Sequence, residues 1–319
     1  MIDLLKKNGK FYKANLHCHT VISDGKMTPN EVKDYYKKAG YSIVAYTDHT
    51  KYVTHDDLKD DEFLPISGFE ADFHVYNTKG ERTRHRTCHI NFYPKDPKTA
   101  VMIPEPKVYG VKVINQYIED MKANGWLCTL NHPTWSLQPT EDVCLIGGIT
   151  GFEVYNHGCE KLYNNGNSYI HYSQYLQVGK KAFAVATDDN HCGLDENGKI
   201  LNADDTLGGF VYISMPELSH EAFIKAFKDG SFYPSTGVEF KDLYIDEEKD
   251  ELVVRCSPVK SIIVRGGRYC AEAKEFSVKD DITEVKFCYS KIIKNALGYF
   301  RVELRTSDDK FAFSQPYYF

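Results

Sequence analysis

From residue 11 to about residue 235, two hydrophobic periods take turns along the chain: short strand-like runs and longer stretches with helical spacing. Phe11 to Leu16 predicts a strand. Thr28-Pro29-Asn30-Glu31 then predicts a helix start, with Thr as cap, Pro in the first turn and Glu three residues on, and Gly40 ends that helix. Tyr41 to Thr47 is the next strand, and it delivers Asp48-His49 at its C-terminal end. The same unit recurs in the helix Val111 to Asn124, closed by Gly125, and the strand Trp126 to Leu130, followed by Asn131-His132-Pro133. Ile149 to Tyr155 carries Glu153, Asn167 to Val178 is helical, and Lys181 to Thr187 ends in Asp188-Asp189-Asn190-His191. Gly209 to Ser214 and the helix Glu221 to Lys228 complete the series.

Alternation of this kind implies parallel strands joined by crossover helices, an α/β fold. Ligand-type residues recur at the ends of nearly every strand, which favours a TIM-like barrel with its working face at the strand C-termini. An open doubly wound sheet would gather them at one switch point. After Ser235-Thr236-Gly237 the pattern changes to short β-branched or aromatic runs separated by polar turns, among them Glu239 to Ile245, Glu251 to Cys256, Ser261 to Val264, Glu284 to Tyr289, Tyr299 to Arg305 and Phe311 to Ser314. The expected division is a barrel over residues 1–237 and a small all-β C-terminal domain over 238–319.

Composition narrows the function classes. Hydrophobic content of 42% and charged content of 26% are ordinary for a globular chain. No apolar run approaches the roughly 20 residues that span a membrane, and Met1 to Lys7 has no signal-type apolar core, so the expected location is cytoplasmic. The 9 cysteines form no Cys-x-x-Cys pair, which fits neither a disulfide framework nor a thiolate zinc site, and most of them read as small core residues. A net charge of -6 argues against a nucleic-acid polymer along an extended surface. It leaves room for a small anionic substrate, because bound cations reverse the sign of a carboxylate-built site.

The chemistry starts at His17-Cys18-His19. In extended backbone, side chains alternate faces, so both imidazoles point one way and Cys18 the other. Asp48-His49, Glu70, His89, His132, Glu153 and the trio Asp188, Asp189 and His191 join them at or near strand ends. Imidazole with carboxylate is a ligand set for zinc, manganese or iron. Asp188 and Asp189 compete for one position, and the Asp-x-His spacing selects Asp189, with Asp188 as its orienter. Glu153 reads equally as a ligand or as an acceptor of backbone hydrogen bonds, and Ser23-Asp24-Gly25 as ligand or ordinary turn.

With Asn15-Leu16-His17-Cys18-His19-Thr20, Ser23-Asp24-Gly25, Tyr46-Thr47-Asp48-His49, Gly68-Phe69-Glu70, Cys88-His89-Ile90, Asn131-His132-Pro133, Gly151-Phe152-Glu153 and Asp189-Asn190-His191 in order, the chain resembles the PHP (polymerase and histidinol phosphatase) family of metal-dependent phosphoesterases over about residues 11–237. Phe300-Arg301-Val302-Glu303-Leu304 and Ser314-Gln315-Pro316 resemble the extension of the CehA/McbA-like metallohydrolase subgroup. The resemblance implies a distorted (β/α)7 barrel holding two or three divalent metal ions (Zn, Mn or Fe). His17, His19, Glu70 and Asp189 would hold the first. Glu70 would bridge to a second, held also by His89 and His132; His49 and His191, with Asp24, would hold a third. The implied activity is hydrolysis of a small phosphomono- or diester through in-line attack by hydroxide held between metals, with Asp48 or His49 handling a proton.

Other residues carry weaker expectations. His157, beside Tyr155-Asn156, faces substrate in one reading, with Glu153 and Asp188 as further substrate contacts. His55, His74, His85, His171 and His220 read as surface or packing histidines, and Tyr169, Tyr172 and Tyr175 as core. Arg82, Arg84 and Arg86 read either as a phosphate clamp or as a solvated face. Thr134-Trp135-Ser136 follows His132-Pro133, where nucleotide-cleaving relatives often have a basic residue, so a nucleotide substrate is not expected. Two rival functions use the same residues: hydrolysis of a carbamate, ester or amide at one site, or a non-catalytic metal-binding adaptor.

Overall fold

The Thr28 hydroxyl accepts from the Glu31 amide while the Glu31 carboxylate accepts from the Thr28 amide, and with Pro29 opening it the helix Pro29–Lys38 forms where the sequence starts it. Gly40 follows at φ 82, a left-handed position that stops the helix without strain. The computed structural model describes residues 1–319 apart from Asn202, Ala203, Tyr269 and the side chains of Arg84 and His85. The two readings of Arg84, clamp or solvated face, and the reading of His85 therefore lie outside the described residues.

The fold is α/β. Two sets of parallel strands make its working half. In the first, Lys10–Asn15, Ile43–Tyr46 and Leu64–Ser67 pair in order. In the second, Trp126–Asn131, Gly151–Asn156 and Phe183–Thr187 do so. All four residues of Ile43–Tyr46 and all six of Trp126–Asn131 are buried, as strands covered on both faces must be. Phe69, Phe92, Trp126, Phe152, Ile118 and Tyr172 pack one core between the second set and its helices. Ile43, Ile66, Val211, Phe223 and Phe227 pack another under the first.

The expected all-parallel series is corrected at two places. Arg82–Pro94 runs antiparallel to both Phe69–Tyr76 and Trp126–Asn131. The connection after Tyr76 is a tight turn in which Asn77 Oδ1 accepts from the Lys79 and Glu81 amides, too short for a crossover helix, so the strands can only form a hairpin. Phe210–Met215 also runs antiparallel to Lys10–Asn15, because the chain doubles back through a turn whose Leu207, Gly208 and Gly209 amides are gathered by Asp188.

Ladders among the described residues do not close into a ring. The two sets belong to separate sheets, which meet at their C-terminal ends through two isolated parallel bridges, Cys18 with Asn190 and His49 with Glu70. Both seams therefore lie beside the residues singled out for metal binding.

The sheet containing Lys10–Asn15 continues through Phe232–Ser235 and Phe311–Phe313 into the C-terminal strands, so the β-rich tail is joined edge to edge to the rest. Gln315 closes a second contact: its Oε1 accepts from the Ala184 amide at 2.7 Å and its Nε2 donates to the Ala184 carbonyl at 2.9 Å, covering the free edge of Phe183–Thr187. A four-stranded sheet, including Phe240–Asp246 and Glu251–Val259, packs Leu243, Leu252 and Val254 against Ile262, Val302 and Leu304. The strand Ala271–Phe276 and the short helix Tyr289–Asn295 add to the elements read from sequence.

Candidate metal centre

The strand Lys10–Asn15 ends just before His17, and the next residues stay extended enough that His17 and His19 share a face while Cys18 turns into the core with Met27 and Tyr36. The two Nε2 atoms lie 3.1 Å apart, and each is 3.1 Å from Asp189 Oδ1. Glu70, at the His49 seam, sits at the centre. Its Oε1 is 3.3 Å from His17 Nε2, 3.3 Å from His89 Nδ1 and 3.4 Å from His132 Nε2. Its Oε2 is 3.3 Å from His19 Nε2 and 3.2 Å from His49 Nδ1. Asp24, 56% exposed at the mouth, has a carboxylate oxygen 3.5 Å from His191 Nε2 and another 3.8 Å from His49 Nε2. All nine residues named as metal ligands are thus brought together.

Two of the candidate ligand residues have strained backbone. His132 has φ 25 and Asp189 φ 54, a region side chains rarely occupy. The His132 amide donates to Glu153 Oε2 at 2.9 Å and the Asp189 amide to the His17 carbonyl at 3.0 Å, which fixes both. Strain held in this way is a mark of functional sites.

Glu153 keeps both readings: with His17 and His132 it forms a group that could hold a metal ion, and its oxygens accept hydrogen bonds. Its Oε1 takes His17 Nδ1 at 2.7 Å and the Thr187 hydroxyl at 2.6 Å, and its Oε2 takes the His132 amide and Asn156 Nδ2. Both oxygens accept from protein donors, and a proton on His17 Nδ1 facing Glu153 would leave Nε2 to face the cluster.

Three assignments change. Asp48 accepts from the Thr20 amide and hydroxyl and from the Ser23 amide and hydroxyl, at 2.8 to 3.0 Å, so it fastens the loop that carries Asp24. Asp188 accepts from Tyr36 and from three backbone amides at 2.8 to 2.9 Å, facing away from the donors, and contacts no substrate space. His157 hydrogen-bonds the Tyr155 hydroxyl at 3.0 Å and packs on Gly208, where any Cβ would collide with its ring. It is buried beside the Asp188 loop and is not a wall of the cleft.

Side chains not singled out from sequence complete the site. Asn131 Nδ2 donates to Glu70 Oε1 at 2.7 Å, and Asn156 Nδ2 to Asp189 Oδ2 at 3.0 Å. Asn131 adjoins His132, so its motif was visible while its role was not. Asp72 is paired with His74 Nε2, and His74 Nδ1 is 2.8 Å from the Thr87 hydroxyl. A cleft of about 680 Å³ opens over the donors, with Lys51, Arg82 and Lys107 as its cationic lining and Trp135, Leu162 and Tyr163 as its apolar one.

The donor set fits a cluster of divalent cations. Buried His49 Nδ1 and Asp189 Oδ1 have no hydrogen-bond partner among the described residues, although His49 Nδ1 lies 3.2 Å from Glu70 Oε2 and Asp189 Oδ1 lies 3.1 Å from both His17 and His19 Nε2. One donor atom from each of His19, Asp24, His49 and His191 falls within 4.8 Å of the others, and the same holds for His17, His19 and Asp189 and for His49, Glu70 and His89. Electrostatics agree. Burial opposes protonation of His19, yet Asp189 and Glu70 outweigh it and carry its pKa to about 10. Burial likewise opposes ionisation of Glu70, but the surrounding rings hold its carboxyl well below the usual range. The pocket calls for positive charge. Burial pulls His49 down to about 4, keeping that ring a neutral donor.

No family model matches the chain, and no curated protein does. Among solved structures it is similar to a two-domain protein from Bacteroides vulgatus ATCC 8482 containing a predicted PHP-like metal-dependent phosphoesterase, at 13% identity and TM-score 0.46 over 98% of each chain. It is similar to a candidate metal-dependent phosphoesterase from Bifidobacterium adolescentis at 14% identity and TM-score 0.36, covering 56% of this chain and 87% of that one. A third likeness is to an amidohydrolase from Chromobacterium violaceum with bound sulfate and no metal, at 14% identity and TM-score 0.35, covering 60% and 92%. These likenesses leave the chemistry to be argued from the donor geometry alone.

Proposed function

We propose that this protein is a metal-dependent hydrolase acting on a small anionic phosphomono- or diester. One observation carries the reading: five imidazole nitrogens and two carboxylates meet around Glu70, with Glu70 oxygens 3.2 to 3.4 Å from His17, His19, His49, His89 and His132. Imidazoles and carboxylates gathered this closely form a donor set that suits cations. His17, His19 and Asp189 would hold one ion with Glu70, His89 and His132 would share Glu70 toward a second, and Asp24, His49 and His191 would hold a third.

Divalent zinc, manganese or iron bound there supplies activation of water and neutralisation of charge on a phosphoryl oxygen. The chain's own residues do the rest. Glu153 fixes the His17 tautomer, Asn131 and Asn156 hold the two central carboxylates, and Asp48 ties down the Asp24 loop. Lys51, Arg82 and Lys107 offset the substrate's charge at the mouth. In this reading residues 1–237 carry the chemistry and residues 238–319 brace it.

The test is hydrolysis of an aryl phosphate by protein supplied with Mn, Zn or Fe. Turnover that vanishes on chelation and in His17→Ala supports the reading. Turnover undiminished by complete chelation overturns it, and cleavage of carboxylic esters or amides in preference to phosphoesters moves the reaction to the carbonyl class.

A further inference from the structure

We propose that the ions are held unequally: the one at His17, His19 and Asp189 stays with the protein, while the one at Asp24, His49 and His191 exchanges with the medium, so that free divalent metal switches the site on and off. The inference rests on the metal-dependent reading above and adds an order of filling to it.

The inner set is buried and already arranged. The side chains of His17 and His19 are 0% exposed and that of Asp189 is 10% exposed. Each donor is steadied on its far side: His17 Nδ1 faces Glu153 Oε1 at 2.7 Å, His19 Nδ1 lies 3.4 Å from the Ser23 hydroxyl, and Asp189 Oδ2 accepts from Asn156 Nδ2 at 3.0 Å. The Ser23 hydroxyl gives its own proton to a carboxylate, Asp48 at 2.8 Å or Asp24 at 3.0 Å, so toward the His19 ring it stands as an acceptor. Groups already held in a binding arrangement lose little freedom when an ion arrives. Neither His17 nor His19 lines the cleft, so an ion between them is walled off on two sides.

The outer set differs in three respects. Its side chains reach water: Asp24 is 56% exposed, His191 34% and His49 25%, and all three line the cleft. Charge at such positions is screened, and water competes for the ion. Its donors also stand further apart. Asp24 oxygens are 3.5 Å from His191 Nε2 and 3.8 Å from His49 Nε2, against 3.1 Å for each pair of facing donors in the inner set. The third difference is that one ligand is contested. His49 Nδ1 lies 3.2 Å from Glu70 Oε2 while its Nε2 faces Asp24, and a neutral imidazole has its lone pair on one nitrogen only. With that lone pair on Nδ1, the outer ion keeps Asp24 and His191 alone. His191 is the steadied member, its Nδ1 2.9 Å from the Asp189 carbonyl, which places the outer position without closing it.

The experiment loads the full chain with Mn, desalts it into metal-free buffer and counts the retained ions by inductively coupled plasma mass spectrometry. Mn is then titrated back by calorimetry, beside turnover of 4-nitrophenyl phosphate. The desalted protein should hold one ion fewer than the saturated protein, and refilling should show one site about 10- to 100-fold weaker than the rest. Turnover should rise with added Mn along the same midpoint. Asp24→Asn, at an exposed position where folding is not at stake, should abolish the weak site and leave the retained count unchanged. Ions that all stay or all leave together, or an Asp24→Asn protein that retains fewer ions than wild type, overturn the unequal filling. The two proposals fail separately. Retention and refilling as described with no ester cleaved defeats the hydrolase and keeps the order of filling, whereas full turnover by desalted protein, indifferent to added Mn, defeats the switch and keeps the hydrolase.

Discussion

Two regions of this molecule bury charge. In the tail, Arg301 is fully buried, with Nε and Nη2 at 3.1 and 3.0 Å from Glu303 Oε1, Nη2 donating to the Ser173 hydroxyl at 2.8 Å, and its guanidinium lying over Tyr169 and Tyr172. Arg265 and the Tyr169 hydroxyl reach the same Glu303 oxygen. The anion there has its cations built in. At the strand ends, Glu70 and Asp189 have histidines as their ion-pair partners among the described residues, and no Lys or Arg is within pairing distance of either. A buried carboxylate without a fixed cation is costly unless something supplies the charge. In the tail the counter-charge comes from side chains, and in the proposed reading it comes to the cluster from ions.

The sharpest way to break that contrast is to change Glu70. Glu70→Gln should lower kcat/KM by about 10³-fold or more, since two of the three proposed ions lose a shared ligand, while the fold persists. Steady-state kinetics beside a thermal melt would show it, and near-normal turnover would mean that Glu70 serves packing as Glu303 does. Arg301→Leu should do the reverse: it removes one of the two guanidinium partners of Glu303, and the unfolding free energy should drop by about 3 kcal/mol in a urea titration, with turnover per folded molecule kept. Loss of activity at unchanged stability would erase the distinction.

Glu153→Gln sharpens the contrast further. With the His17 tautomer released, metal affinity should fall about 10- to 100-fold by calorimetric titration, with little change in the melt of chelated protein. The smallest effect concerns His157, a buried ring whose partner is a phenol. Burial, and then Lys161, lowers its pKa to about 4 from an ordinary 6.5. Between those values the unfolded chain binds a proton that the folded one refuses, so its contribution is whole above pH 6.5, falls as pH drops, and levels off below 4. Wild type should lose about 1 kcal/mol more than His157→Gln between pH 7 and pH 5 in urea unfolding. A parallel decline in both proteins would show that the ring is already accommodated as a cation.

Much of this was legible in the sequence because it is local. The capping box at Thr28 and Glu31, the run of alternating strands and helices, and the two imidazoles of His17-Cys18-His19 each follow from spacing within a few residues. Strand direction was not. The hairpin partner Arg82–Pro94 depends on the five-residue turn at Asn77, and the antiparallel Phe210–Met215 depends on Asp188 gathering amides twenty positions away. The donors converge as the strand ends suggested. Asp48, Asp188 and His157 are chemically suited to a site but are engaged by Ser23, Leu207 and Tyr155, and no spacing rule reveals which neighbour takes a side chain's lone pairs. Trp135 stood in the sequence as a missing basic residue, and its place on the wall of the cleft appears only once the chain is folded.

The central claim, that the cluster is completed by ions, is tested most directly by counting them. Stripped protein is dialysed to equilibrium against Zn or Mn, and metal per chain is read by inductively coupled plasma mass spectrometry for wild type and for Glu70→Gln with Asp189→Asn. Two or more ions per wild-type chain, lost in the double variant, is the predicted result; wild type holding no metal above background would contradict the account.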